Sequence, residues 1–361
     1  MHYNGFFKDK TVLVTGHTGF KGSWLTMMLK SLDADVIGYA LDPANRYDNF
    51  EVLHLAKSMT DIRGDIRDLS ELTFILEHYK PDVVFHLAAQ PLVRNSYDFP
   101  RETMEVNLMG TVNVLEAFRM NRNAKSLVVI TSDKVYENRE WIWSYRENEQ
   151  VGGYDPYSAS KGAVELICSA YQRSFFNPDA YGEHKKVLAT VRAGNVIGGG
   201  DWSKDRIIPD AVRALELDKP VKIRNPDSIR PWQHVMEPLH GYLLLASKMH
   251  KDPKRYSGPW NFGPGSSSHI QVKDLVASLI KHYGKGEILL DHQIGALHES
   301  KFLALDHAKA STYLKWQPRL DIDDTIALTA EWYKNYTKQN IVEIVKNQID
   351  SFFNKGSDDI N

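Results

Sequence analysis

The sequence lacks the patterns of a disulfide-rich, metal-binding or membrane-spanning protein. Cys168 is the single cysteine among 361 residues, which excludes an intramolecular disulfide and favours a reducing compartment. The chain also lacks an apolar run of transmembrane length, a Cys/His spacing typical of a metal site and an N-terminal signal sequence. Its formal net charge of -2 argues against nucleic acid as a main partner. We therefore expect a cytoplasmic protein that binds a small molecule and needs neither a metal nor a membrane.

A glycine-rich turn follows the first short apolar segment. Residues 11–15 predict a strand, and Gly16-His-Thr-Gly19-Phe-Lys-Gly22 leads into an amphipathic helix. Glycine at this corner lets the backbone approach a pyrophosphate, while the helix N-terminus offers free N–H groups and a positive dipole end. The spacing G-x-x-G-x-x-G differs from the simplest dehydrogenase fingerprint. We predict a dinucleotide site formed by Gly16, Thr18, Gly19, Phe20 and Gly22.

Acidic residues at the next two strand ends bear on which dinucleotide binds. A second predicted strand, 35–40, ends near Asp42, where a carboxylate would accept hydrogen bonds from an adenosine ribose. Asp42 favours NAD, although Lys21 or Arg46 could instead face the 2'-phosphate of NADP. Asp65 follows the third predicted strand and is either a ligand of the adenine amino group or a plain turn acid.

Three further apolar segments lack the alternation of a half-exposed strand. They are 82–89, 126–132 and 187–192, and an amphipathic segment at about 101–120 separates the first two. Such runs are typical of strands buried on both faces, hence of a parallel sheet covered by helices. We predict an α/β fold: a Rossmann doubly wound parallel sheet with a smaller interleaved α/β substrate lobe. The Rossmann domain is expected at 1–195 with a return segment near 236–262, and the lobe at 196–355.

Tyr157-Ser-Ala-Ser-Lys161 places a phenol and an ammonium one helical turn apart. A tyrosine titrates near pH 10 in water, so a base near neutral pH requires stabilisation of the phenolate by roughly 4 kcal/mol. Lys161 and an oxidised nicotinamide could both supply positive charge. The small Ala88-Ala89 pair would let the nicotinamide pass close to the backbone, whereas we interpret His86 as a core residue.

The composition changes after Arg192. A glycine-rich loop at 194–202 precedes Arg206, and Arg230-Pro-Trp-Gln-His234 follows. Arginines separated by turn residues suit a substrate that carries phosphates, because a guanidinium donates in a bidentate fork. Scattered surface arginines are the alternative interpretation.

Several of these segments occur together in one protein family. They are Gly16-x-x-Gly19-x-x-Gly22, Asp65-Ile66, His86-Leu-Ala-Ala89, Asn107-x-x-Gly110-Thr111, Tyr157-x-x-x-Lys161, Arg192-x-x-Asn195-Val and Arg230-Pro-Trp-Gln-His234-Val235. From about residue 8 to 336 the chain resembles extended short-chain dehydrogenases/reductases that act on nucleotide sugars. The resemblance implies NAD kept through the catalytic cycle and a homodimer, or dimer of dimers, built on a helix pair. It also implies cofactor contacts from Ile66, Leu87, Ala88 and Ala89, and substrate contacts from Asn195, Arg206 and Arg230.

Thr131-Ser132-Asp133-Lys134-Val135-Tyr136 departs from related sequences. Thymidine-diphosphoglucose dehydratases resemble this stretch but carry Thr-Asp-Glu-Val-Tyr, which implies that Ser132 fixes the sugar O4 and that Asp133 is a general acid. Lys134 replaces the glutamate. It could act as a base, which requires a neutral amine, or stabilise an enolate, or orient Asp133. If Lys134 is not the base, Tyr157 and Glu137 are the next candidates.

The resemblance therefore implies a nucleotide-sugar 4,6-dehydratase, with CDP-glucose as substrate and a product used in deoxysugar and lipopolysaccharide synthesis. Tyr157 would take the O4 proton as C4 gives hydride to NAD; loss of the C5 proton and C6 hydroxyl would follow, and hydride would return to C6. A 4-epimerase, a simple sugar dehydrogenase and a non-catalytic redox sensor are the alternatives. The Asp-Lys pair favours dehydration. The residues themselves leave the nucleobase open.

Overall fold

The computed structural model describes residues 2–290 and 302–355 of the chain. The strands in these ranges are β1 Thr11–Thr15, β2 Asp35–Ala40, β3 Thr60–Arg63, β4 Val83–His86, β5 Ser126–Ile130, β6 Val187–Arg192, β7 Val196–Ile197, β8 Val221–Ile223, β9 Ile229–Pro231, β10 Gln233–His234, β11 Gly258–Asn261, β12 His269–Gln271 and β13 Ile288–Leu290. The α-helices are α1 Phe20–Ser31, α2 Asn49–Val52, α3 Leu69–Tyr79, α4 Val93–Asp98, α5 Pro100–Met104, α6 Gly110–Met120, α7 Pro156–Phe175, α8 Tyr181–His184, α9 Ile207–Glu216, α10 Met236–Met249, α11 Pro253–Tyr256, α12 Val272–Tyr283, α13 Ile322–Asn335 and α14 Ile341–Asn354.

Seven strands form one parallel sheet in the order β11-β6-β5-β4-β1-β2-β3. The chain runs outward from β1 to β3 and then returns to place β4 on the other side of β1. Open α/β sheets bind ligands outside the carboxyl ends of their strands, at the point where the strand order reverses. The predicted Rossmann doubly wound sheet is confirmed.

Successive side chains of the central strands enter two different cores. Val12 and Val14 pack on the face covered by α1 and α10, whereas Leu13 between them packs on the face covered by α3, α6 and α7. This period of two follows from strand geometry. Because both faces are covered, both sets of side chains are apolar, which accounts for the unalternating runs in the sequence.

Smaller strand pairs lie outside the large sheet. β7 pairs with β10, β12 with β9 and β13 with β8. The prediction of a continuous loop at 194–202 is wrong at Val196–Ile197, which forms β7 beside β10. A two-residue strand has no periodic signal, so the glycines around it dominate the sequence pattern. Within the predicted return segment, β11 joins the large sheet beside β6.

Candidate active site

A cavity of about 1810 Å³ opens at the carboxyl ends of the parallel strands. All the residues predicted to bind the cofactor line it: Gly16, Thr18, Gly19, Phe20, Gly22, Asp42, Asp65, Ile66, Leu87, Ala88, Ala89, Tyr157 and Lys161. The other predicted catalytic and substrate residues line it too: Ser132, Asp133, Lys134, Asn195, Arg206 and Arg230. The strand ends thus bring together residues that are widely spaced in the sequence.

The turn after β1 is so tight that two of its glycines have no space for a side chain. A Cβ on Gly16 would lie 2.7 Å from the backbone nitrogen of Ala88, and Gly16 has a left-handed φ of +76°. A Cβ on Gly22 would lie 2.1 Å from the Gly16 carbonyl oxygen. By contrast, a Cβ on Gly19 would meet only that oxygen, at 3.4 Å. The turn is therefore closed toward the sheet, and the start of α1 at the cavity fits a dinucleotide pyrophosphate.

At the predicted adenosine end of the cavity, an exposed acid lies near an arginine. The Asp42 side chain is 87% exposed, and its Oδ1 lies 3.8 Å from Nε of Arg63, a neighbour that sequence reasoning missed. Arg46 packs on the Tyr47 ring and does not line the cavity. Lys21 instead interacts electrostatically with Asp133, Lys161, Asp201 and Arg206. Of the two cations that could have faced a 2'-phosphate, Lys21 thus lies in the part of the cavity near Asp133, and Arg46 lies outside the cavity, which agrees with NAD.

Asp65 accepts a double hydrogen bond from a residue of its own turn. Its Oδ2 lies 2.6 Å from Nη2 and 3.0 Å from Nε of Arg67. These hydrogen bonds lower the pKa of Asp65. The carboxylate therefore remains an acceptor at neutral pH, as binding of an adenine amino group requires.

Helix α7 begins with a side-chain cap that fixes the position of Tyr157. Asp155 Oδ1 accepts from the backbone nitrogen of Ser158 at 2.9 Å, and Pro156 occupies the first turn, where its missing N–H costs nothing. Tyr157 and Lys161 are both buried, and Lys161 Nζ donates to the Ile130 carbonyl at 3.1 Å. Burial lowers the pKa of Lys161 to about 8.

Residues 132–135, which we call the catalytic loop, follow β5. Ser132 Oγ accepts from the backbone nitrogen of Lys134 at 3.2 Å and donates to Asp133 Oδ1 at 2.9 Å. Burial raises the pKa of Tyr157, whereas its hydrogen bond with Ser132 lowers it. Ser132 therefore contacts both the acid and the phenol. Glu137, which follows this segment, does not line the cavity.

A π-helical turn at Glu105–Met109 joins α5 to α6, where the sequence predicted only a continuous amphipathic helix. Such turns often occur at functional sites. Asn107 within it accepts from the Gln90 backbone nitrogen at 2.8 Å and donates to Ser160 Oγ at 2.9 Å. It thereby joins the segment after β4 to α7. His86 is a buried core residue as predicted, with its ring nitrogens bound to Thr15 and Thr111.

The predicted substrate residues have partners that the sequence did not reveal. Arg206 Nη1 lies 2.7 Å from Oδ2 of buried Asp201, the acid that ends the glycine-rich loop. Asp205 Oδ1 is near two further arginines that line the cavity, Arg94 at 3.2 Å and Arg224 at 3.4 Å. Several guanidinium groups thus converge on one part of the cavity. Asp201 and Asp205 neutralise part of this positive charge, and the guanidinium forks suit a diphosphate.

Asn195 and Arg230 contribute from neighbouring segments. Asn195 adopts a left-handed φ of 50°, and its carbonyl accepts from the Gln233 backbone nitrogen at 3.2 Å. Arg230 lies on β9, which pairs with β12. In the ranges 2–290 and 302–355, no cluster of three or more His, Cys, Asp or Glu side chains is arranged to hold a metal ion. No helix in those ranges is both long and apolar enough to cross a membrane.

A model of the family described as GDP-mannose 4,6 dehydratase matches residues 13–329. The chain belongs to the GDP-mannose 4,6 dehydratase family. Within this family, the chain is similar to the CDP-glucose 4,6-dehydratase of Salmonella typhimurium strain LT2. The two are 49% identical over 333 residues, which cover 92% of this chain and 93% of the relative.

Solved structures share the fold of this member of the GDP-mannose 4,6 dehydratase family. The UDP-glucuronic acid 4-epimerase from Bacillus cereus, in complex with UDP-glucuronic acid and NAD, has a TM-score of 0.75 at 25% identity and covers 90% of this chain and 99% of its own. DesIV, a dTDP-glucose 4,6-dehydratase from Streptomyces venezuelae with NAD bound, has a TM-score of 0.74 at 24% identity, with coverages of 90% and 97%.

Proposed function

We propose that this chain is a CDP-glucose 4,6-dehydratase, which converts CDP-D-glucose into CDP-4-keto-6-deoxyglucose and water. One observation carries the assignment to dehydration: Asp133 and Lys134 share a cavity with Tyr157 and Lys161. A 4-epimerase needs the phenol and the ammonium but has no hydroxyl to expel. The cytidine base rests on the 49% identity to a CDP-glucose 4,6-dehydratase.

The cofactor is NAD, held by the glycine turn and by Asp42. When bound, it supplies reversible hydride transfer, accepting hydride from the sugar C4 and returning hydride to C6. Tyr157 removes the proton from O4, and Ser132 hydrogen-bonds that oxygen. Lys161, buried one turn away, stabilises the phenolate by its positive charge.

The catalytic loop performs the elimination. The C4 ketone makes the C5 proton acidic, and removal of that proton leaves an enolate. Asp133 protonates the departing C6 hydroxyl, which leaves as water and generates an enone. Lys134 is assigned to this step: it removes the C5 proton as a neutral amine, or stabilises the enolate as a cation. The net reaction is a dehydration without change in oxidation state.

The substrate diphosphate binds where the arginines converge. Arg206 and Arg230 contribute bidentate donors, and Asp201 holds the Arg206 side chain in place through its ion pair. Asn195, which directly precedes β7, lines the same cavity. This arrangement directs the sugar toward Tyr157 and the catalytic loop.

We further assign the enzyme to the cytoplasm, where its product would enter deoxysugar and lipopolysaccharide synthesis. A homodimer, or a dimer of dimers, is supported by apolar side chains that α6 and α7 leave exposed, among them Met120, Leu166 and Phe175. Leu166→Glu should shift the protein to the monomer mass in size-exclusion chromatography with light scattering. An unchanged mass would place the interface elsewhere.

Isotope transfer tests the reaction. CDP-glucose deuterated at C4 should give a product one water lighter, with the deuterium at C6, because hydride removed from C4 returns within the same turnover. In heavy water, C5 should gain one solvent deuterium. Unchanged mass with inversion at C4 would establish an epimerase, and deuterium in free cofactor would establish a simple dehydrogenase. A panel of other nucleoside-diphosphate glucoses tests the choice of base.

A further inference from the structure

A buried ion pair lies behind the catalytic loop. The side chains of Arg192 and Glu165 are only 3% and 5% exposed. The guanidinium is bidentate, with Nε to Oε1 and Nη2 to Oε2 each at 2.9 Å. The same carboxylate accepts from Oγ1 of Thr131 and from Oγ1 of Thr190, each at 2.6 Å. Glu165 is thus held by four hydrogen bonds from three residues.

Both ends of the catalytic loop are attached to this ion pair. Thr131, immediately before the loop, donates to Glu165. Tyr136, immediately after the loop, accepts from Arg192 Nη1 at 2.6 Å and donates to Asn261 Oδ1 at 2.8 Å. One rigid unit therefore determines where the loop begins and where it ends.

The acid of this ion pair lies on α7, the helix that also carries Tyr157 and Lys161. Tyr157, Lys161 and Glu165 follow one another at intervals of four on α7, so they share one helix face. The helix lies close to the loop: a Cβ on Gly162 would lie 3.5 Å from the Val135 carbonyl oxygen. The Glu165 carboxylate therefore connects α7 with the catalytic loop.

Stability alone gives no reason for this arrangement. A well-packed apolar replacement often stabilises a core as much as a buried ion pair does. The guanidinium fork instead provides fixed directions and distances. Elimination demands such accuracy, because the acid must reach the C6 oxygen while the C5 proton is removed, and a displacement of about 1 Å can cost on the order of 100-fold in rate.

We propose that Glu165 and Arg192 are a positioning pair, which fixes the catalytic loop relative to the phenol and the ammonium of α7. Neither side chain touches the reacting atoms; both act through hydrogen bonds at the two ends of the loop. The inference rests on the proposed function, since it concerns the placement of the acid for elimination.

Two threonines that bind the same carboxylate provide a matched test. Thr131→Val and Thr190→Val each remove one hydrogen bond of 2.6 Å to Glu165, but only Thr131 adjoins the catalytic loop. We expect both variants to lose similar stability, measured as Tm. Thr131→Val should lower kcat by roughly tenfold or more with little change in KM. Reduced cofactor should accumulate in this variant, which an increase in absorbance at 340 nm would show. Thr190→Val should keep kcat within about twofold.

Equal losses of kcat in the two threonine variants would overturn the proposal, because the ion pair would then be a general core element. Wild-type kcat in Thr131→Val would overturn it as well. If Thr131→Val does not fold, Tyr136→Phe removes the other attachment and should show the same loss of kcat. Its control is Tyr3→Phe, which removes a buried hydroxyl bonded to His240 at 2.7 Å, remote from the loop.

An assay of the wild-type enzyme distinguishes failure of the positioning role from failure of the proposed function. If wild type does not release a product one water lighter from CDP-glucose, the proposed function fails. If it does so and the two threonine variants behave alike, only the positioning role fails. A substrate-independent measurement is the solvent accessibility of the loop by amide hydrogen exchange, which should rise at 132–135 in Thr131→Val and stay unchanged in Thr190→Val.

Discussion

An added Cβ on Gly194 would lie 1.8 Å from Oδ2 of Asp133 and 2.8 Å from the Asp133 Cβ. The glycine that follows β6 therefore leaves the space in which the proposed acid lies. The contact includes Cβ as well as the carboxylate, so a small rotation of Asp133 would not relieve it. Gly194 is a position where size, and not backbone freedom, restricts the residue type, because its φ is not left-handed.

We predict that Gly194→Ala displaces Asp133 without altering its chemistry. Oxidation at C4 should persist, whereas loss of the C6 hydroxyl should slow by roughly 10- to 100-fold. Reduced cofactor and 4-keto sugar should accumulate, as they should more completely in Asp133→Asn. The measurement is single-turnover absorbance at 340 nm. Gly182→Ala is the control, since a Cβ there has nothing within 4 Å; a Gly194→Ala enzyme that dehydrates at the wild-type rate would contradict this role for Gly194.

Tyr157→Phe should abolish the first chemical step. Loss of a general base costs on the order of 100-fold or more in rate. NAD should still bind, because most of the predicted cofactor contacts, including those of the glycine turn, do not involve the Tyr157 hydroxyl. Isothermal titration with NAD and steady-state assays measure the two effects separately. Turnover near that of wild type would show that another group takes the O4 proton.

The sequence predicts the sheet and the catalytic helix well, because both depend on local patterns. Buried parallel strands give unalternating apolar runs, and Tyr157 and Lys161 are neighbours through helical spacing alone. The approach of Gly194 to Asp133 and the ion pair of Asp201 with Arg206 depend instead on tertiary structure, which local patterns do not report. The first depends on how β5 and β6 lie side by side, and no residue near Asp133 in the sequence indicates it.

Other features of the site had a weak signal in the sequence or none. The acid at the end of the glycine-rich loop was visible as Asp201, but its pairing with Arg206 depends on the path of the intervening turn. The π-turn at Glu105–Met109 is invisible because an amphipathic pattern does not locate one wider turn. The predicted boundaries of the two lobes stay predictions, as do the roles assigned to the individual site residues.

Lys134→Met distinguishes the roles open to this lysine. If the amine removes the C5 proton, the variant should exchange that proton with heavy water at least about tenfold more slowly than wild type while still reducing the cofactor. Mass spectrometry of recovered substrate and product measures the exchange. Lys204→Met, which removes another lysine from the same cavity, should leave exchange per turnover unchanged. Normal exchange in Lys134→Met would assign the base to Tyr157, since Glu137 does not line the cavity.

The buried ammonium of Lys161 should make the enzyme sensitive to alkaline pH. Burial lowers the pKa of Lys161 to about 8, from an ordinary value of 10.5. Below that pKa the amine is protonated and can stabilise the phenolate; above it the charge is lost. We therefore expect kcat/KM, which reports on the free enzyme, to fall as pH rises through about 8. Lys161→Arg keeps the cation at every accessible pH, so its residual activity should lack this alkaline decrease. A wild-type profile that stays flat up to pH 10, or an unchanged decrease in Lys161→Arg, would show that another group titrates.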